Sequence, residues 1–167
     1  KRFGQQVRDE VTNNLIRGTL NVATASATNM VISHNLFLNT TAGNALNNLS
    51  SALVSDNIFW GRTPANATLN YCVFTNNITY QTSNDVIPFG TNTGTNNQVG
   101  VNPLFVNAPD RSNNLGYDYQ LQAGSTGHNA GSDGTDIGAF GGASAFVDLT
   151  GRARVPLVTT LSILNSS

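Results

Sequence analysis

The chain has 167 residues, a formal net charge of −1 and 10% charged residues, where ordinary globular domains carry roughly a quarter. That is one domain's worth of chain, long enough to bury a sizeable core. The near-zero charge excludes the basic footprint that nucleic acid or an anionic membrane surface would select, and no apolar run is long enough to span a bilayer.

Asn, Thr, Ser and Gly carry the polarity, and there is one Lys (Lys1) and one Glu (Glu10). Surfaces inside cells are usually rich in Lys and Glu, so the composition points to a secreted or cell-surface setting. The chain lacks an initiator Met and a signal peptide, which is expected of a processed product or a piece of something longer.

Residues 1–10 are polar and charged and offer no cap for the first coil. A repeat then begins. An Asn with an apolar pair behind it appears as Asn14-Leu15-Ile16, Asn35-Leu36-Phe37, Asn57-Ile58-Phe59 and Asn77-Ile78-Thr79, with a fainter copy at Asn97-Gln98-Val99. The separations are 21, 22, 20 and 20 residues. A period of this size signals a solenoid whose core is buried only when coils stack.

Two apolar columns flank the Asn. Three residues before it stand Val11, Ile32, Val54 and Phe74; one residue after it stand Leu15, Leu36, Ile58 and Ile78. Only polar residues lie between. Each coil therefore reads as a short strand, a tight corner at the Asn, and a second short strand. Asn suits a corner because it tolerates left-handed backbone angles. Stacked Asn side chains at Asn14, Asn35, Asn57 and Asn77 can also bond up the column as a structural ladder. Helix is disfavoured by short runs of β-branched and aromatic residues broken by Asn, Gly, Thr and Ser. Five coils at about 4.8 Å per rung would make a stub on the order of 25 Å long. Cys72, inside Tyr71-Cys72-Val73-Phe74, reads as a small buried hydrophobe.

Coils extend over 1–107. A second pattern occupies 108–150, where Tyr119 and Leu121 alternate with polar neighbours and Gly124-Ser125, Gly131-Ser132 and Asp133-Gly134 mark turns. Ile137, Ala139 and Phe140 make a last apolar strand, and such a module would cover the open end of the stack. Residues 151–167 read as an extended tail or the start of a further domain. A bare N-terminal end of parallel strands predicts further coils or a partner protein covering it.

The run Val31-Ile32-Ser33-His34-Asn35-Leu36-Phe37-Leu38-Asn39, echoed by Leu53-Val54-Ser55-Asp56-Asn57-Ile58-Phe59, resembles the right-handed parallel β-helix repeat of the pectate-lyase-like superfamily. Asn102-Pro103-Leu104-Phe105-Val106, Asp118 to Ser125, Asn129-Ala130-Gly131 and Asp136 to Phe140 resemble the closing module of many secreted bacterial β-helix proteins. Thr126 replaces the usual Pro there, and His128 an aliphatic residue. The resemblance spans about residues 10 to 141. It implies an all-β, right-handed parallel β-helix of about five coils with a C-terminal capping module. It says little about activity, because this superfamily hosts many functions.

Candidate sites are sparse. The polar column before the Asn runs Asn13, His34, Asp56, Asn76, Asn96; His34 and Asp56 on adjacent rungs could form an acid–base pair, though a solvated polar corner is the better expectation. Trp60 and Tyr80, three residues after their Asn, could form an aromatic platform for a sugar ring, against the alternative of core packing. Asp133-Gly134-Thr135-Asp136 has oxygens at a spacing Ca²⁺ could use, but an Asp capping its own turn fits better.

Glycosylation patterns at Asn39, Asn48, Asn66, Asn77 and Asn165 arise readily by chance in such a composition. Lyases of the resembled superfamily use a basic residue, often with Ca²⁺ held by clustered acids; the coils have no Lys, and Arg17 and Arg62 lack neighbouring carboxylates in sequence. Glycosidases need two carboxylates facing one cleft, and Asp9, Glu10, Asp56 and Asp85 are scattered.

The expectation is a non-catalytic structural or adhesive segment, with no cofactor or metal, contacting a polysaccharide or glycan. The alternative is the C-terminal part of a polysaccharide lyase or glycoside hydrolase whose active site lies on coils outside this chain.

Overall fold

The computed structural model describes residues 9–22, 29–64, 66–114 and 116–146. The expected strand over 151–167 lies outside these residues. All regular structure described is β. The first coil contributes β1 (Glu10–Thr12), β2 (Leu15–Ile16) and β3 (Leu20–Asn21), and the second β4 (Val31–Ser33), β5 (Leu36–Leu38) and β6 (Leu46–Asn47). The third adds β7 (Leu53–Ser55) and β8 (Ile58–Trp60), the fourth β9 (Val73–Thr75) and β10 (Ile78–Tyr80), and β11 (Thr93–Thr95) comes next. A hairpin of β12 (Phe105–Asn107) and β13 (Asp118–Leu121) completes the set.

The strands before the Asn stack in parallel as β1-β4-β7-β9-β11, and those after it as β2-β5-β8-β10. Register is kept throughout: Ile32 faces Val54 and Val54 faces Phe74, while Leu36, Ile58, and Ile78 align on the second sheet. A third side is sketched by β3-β6 and single parallel bridges at Asn44–Thr63 and Ser50–Asn70. The chain is thus a parallel β-solenoid of about four turns, one fewer than the five coils suggested by the fainter Asn97 copy.

The Asn column is a continuous ladder. Asn14, Asn35, Asn57 and Asn77 each donate Nδ2–H to the Oδ1 of the next Asn, ending on Asn97, at 3.0–3.1 Å. Each also donates its backbone N–H to that same Oδ1. The left-handed residue is not the Asn, despite its tolerance for such angles, but its predecessor: Asn13, His34, Asp56, Asn76 and Asn96 have φ of 56°, 52°, 57°, 54° and 58°. This turn leaves the Asn in an ordinary conformation with its side chain aimed along the stack, where it satisfies backbone groups as well as amides.

Two cores result. Inside the bore, Ile32, Val54 and Phe74 from the first sheet meet Phe37 and Phe59 from the second, all at 0% exposure. The two Phe rings stack at 5.0 Å between centroids. Outside the bore, Leu36, Leu38, Ile58, Trp60 and Ile78 point the other way and pack beneath Phe105, Tyr119, Leu121, Ile137 and Ala139. The second sheet is buried on both faces, which is why Leu36-Phe37-Leu38 and Ile58-Phe59-Trp60 are apolar without alternation.

The closing module lies along the flank of the stack. It runs back past the coils one after another. Thr126 bonds Gln98, Ala130 accepts from Asn76, Ser132 holds Asp56, and Ala139 and Gly141 accept from Asn13.

Candidate ligand site

From Asn13 to Asn76 the column before the ladder Asn is neither an acid–base pair nor a solvated corner, while Asn96 at its end is exposed. It is the rail on which the closing strap sits. Asp56 is 1% exposed; it accepts from the Ser132 N–H and the Ser132 hydroxyl, both at 2.7 Å, while its carbonyl accepts from Gly138 N–H at 2.8 Å. His34 is 7% exposed, and its Nε2 lies 3.6 Å from Asp133 Oδ1 with no hydrogen-bond partner. Gly141 and Gly142 lie against its ring, so close that a Cβ at either would come within 2.9–3.2 Å of it. These groups have no open face toward a substrate.

Asp133 caps its own turn: the Thr135 N–H and hydroxyl bond its Oδ1 at 3.0 and 2.7 Å. Chiefly through that hydroxyl, its carboxyl is held below the ordinary aspartate value. His128 Nδ1 pairs with Asp136 at 2.8 Å. Among the described residues, no three His, Cys, Asp or Glu side chains gather as metal ligands. Cys72 is fully buried, and burial pushes its thiol up.

Arg62 is also inside, 6% exposed. It donates to Thr19 Oγ1, to the Thr41 carbonyl and to the Asn44 carbonyl, tying neighbouring coils together, and burial pulls its guanidinium below the ordinary value.

One cleft of about 490 Å³ opens where the second sheet meets the β12–β13 hairpin, a size usual for small-molecule sites. Trp60 and Tyr80 both line it. They are register partners on β8 and β10, with ring centroids 6.5 Å apart and planes at 29°. Trp60 is 5% exposed because Phe105 covers it at 5.1 Å on the hairpin side. Tyr80 is half-buried and gives the cleft its more open aromatic surface.

Several polar groups converge there. The Trp60 indole N–H donates to Gln81 Oε1 at 3.1 Å, and the Gln81 carbonyl accepts from Arg111 at 3.1 Å. Arg111 lies flat over Gly61, whose φ of 72° and missing Cβ leave the space the guanidinium occupies. Asp110 sits on the rim, its carboxyl held low by bonds from Ser112 and then Tyr117. Two non-glycine residues on the lining, Gln81 and Leu104, have left-handed φ of 51° and 53°. Strain of this kind persists where surrounding contacts over-determine it and tends to gather at binding sites.

Sequence reasoning did not single out Gln81, Arg111 or Phe105 for this site. Gln81 follows Tyr80 directly, whereas Phe105 and Arg111 arrive from a hairpin distant in sequence, and only Phe105, inside the closing motif, carried any signal. No family model matches the chain, and neither do any curated proteins or solved structures.

Proposed function

We propose that the chain is a non-catalytic structural and adhesive segment of a secreted or surface-displayed right-handed β-helix protein, akin to the pectate-lyase-like superfamily, and that it contacts a glycan in the Tyr80 cleft. The observation carrying this reading is the fate of the titratable groups. Of the groups with acid–base potential near the ladder, Asp56 holds the strap, His34 is buried beneath it, and Asp133 and Asp136 are bonded within it. The cleft offers an aromatic face edged by amides, a hydroxyl, the Arg111 guanidinium and the Asp110 carboxylate on its rim, a set suited to binding a sugar by its C–H face and its hydroxyls.

Glycan-array screening followed by calorimetry tests the reading. Tyr80→Ala should weaken binding about tenfold or more, while His34→Ala should leave affinity unchanged. Release of unsaturated or reducing products from a polysaccharide by the chain itself would replace this reading with the enzymatic one. Binding that survives Tyr80→Ala would remove the cleft from it.

A further inference from the structure

Between Asn29 and Asn84 only two side chains carry formal charge, Asp56 and Arg62, and these are 1% and 6% exposed. Away from the strap, the coils in this span meet solvent almost wholly through amides, hydroxyls and apolar groups. On the outer face of the first sheet, Leu53 and Val73 are register partners, 37% and 39% exposed. Two residues upstream of Val73 stands Tyr71, 68% exposed and with φ of 56°.

The equivalent corner positions in the preceding coils hold Asn29 and Ser51, with φ of 71° and 55°. Those small polar residues suit left-handed backbone, whereas a tyrosine there is an outlier. Its ring gains little burial in return. The Tyr71 N–H bonds Thr91 Oγ1 at 3.4 Å, so the backbone is held by the next rung while the ring projects outward. Phe89, 39% exposed, belongs to the same corner: its carbonyl accepts from Asn92, whose Oδ1 takes the Cys72 N–H at 2.9 Å.

We propose that this face binds an uncharged polysaccharide, with Tyr71 stacking on a sugar ring and Leu53, Val73 and Phe89 widening the apolar track. An uncharged sugar chain brings a C–H face for the aromatic and hydroxyls for the surrounding Asn, Ser and Thr, and it loses nothing for want of a counter-charge. Beside Leu53 and Val73 a charged polymer would find no partner; the exposed carboxylate of this outward column is Glu10, two rungs from Leu53. The face belongs to the first sheet and the Tyr80 cleft to the second, so this inference stands independently of the cleft.

The test uses the full chain and soluble neutral glucan, mannan and galactan, with polygalacturonate as the charged counterpart, at low and high salt. At least one neutral polymer should bind with affinity insensitive to salt. Tyr71→Asn should weaken that binding about tenfold or more, with a Tm equal to or above that of the parent because Asn favours the left-handed corner. Tyr80→Ala should leave it intact.

The proposal is overturned if no neutral polymer binds, if Tyr71→Asn binds as well as the parent, or if polygalacturonate is preferred and released by salt. A concentration-dependent dimer abolished by Tyr71→Asn would equally overturn it, by showing that a second copy covers the face.

Discussion

Asn57 sits in the middle of the ladder with its amide fully engaged. Its Oδ1 accepts from Asn35 twice, and its Nδ2 donates to Asn77 Oδ1 and to the Ile32 and Ser55 carbonyls. Truncation would strand buried donors and acceptors on both neighbouring rungs, each costing about 1–3 kcal/mol. Asn57→Ala should therefore lower the unfolding free energy in urea by roughly 3 kcal/mol or more. Asn14, exposed at the first rung, should lose less than about 1 kcal/mol on the same change. Equal losses at the two positions would mean that the ladder is not what holds the corners. The period of these Asn residues is plain in the sequence. Their conformation is not, because the residue that turns the chain is the one before, and its identity varies from Asn to His to Asp.

At the scale of elements, the strap is held by few bonds to many coils, with Asp56 near its midpoint. Asp56→Ala removes the acceptor for both Ser132 donors. Hydrogen exchange over 127–142 should then speed up while the ladder amides stay protected. Unchanged exchange in the strap would show that its apolar contacts suffice.

Acid should loosen the same region. The bond from the Thr135 hydroxyl, with the Thr135 N–H helping, holds the Asp133 carboxyl below the ordinary 3.8. A carboxyl depressed in the fold contributes stability above its unfolded value and loses it as pH falls through its folded one. Protection of the 131–136 turn should therefore decline only below about pH 3.8, and Asp133→Asn should flatten that decline. The turn residues of this strap were readable in sequence as turns. Where the strap docks was not, since its partners Asn13, Asp56 and Asn76 look like interchangeable corner residues until the chain folds back on them.

For the molecule as a whole, the coil stack and the strap share an apolar layer. Leu36, Ile58 and Ile78 are at most 1% exposed because the strap covers them. A chain ending at residue 107 would uncover that layer. It should bind an apolar dye and aggregate, whereas the full chain should melt in one transition seen alike by far-UV and near-UV signals. A soluble, well-packed 1–107 would refute the shared core. Among the described residues no helix is long and apolar enough to cross a membrane.

The sequence by itself determined the stacking unit. A 20–22-residue period, with an apolar position before and after each Asn, fits only coils that bury their sides on one another. That much is local and repeats, so one coil's pattern can be checked against the next. Tertiary structure decided which apolar column faces the bore and which faces the strap, because both columns are equally apolar. It also decided that Trp60 would sit under Phe105 and that Arg111 would reach the cleft beside Tyr80. Those contacts join segments with no shared period, and only the folded chain brings them together.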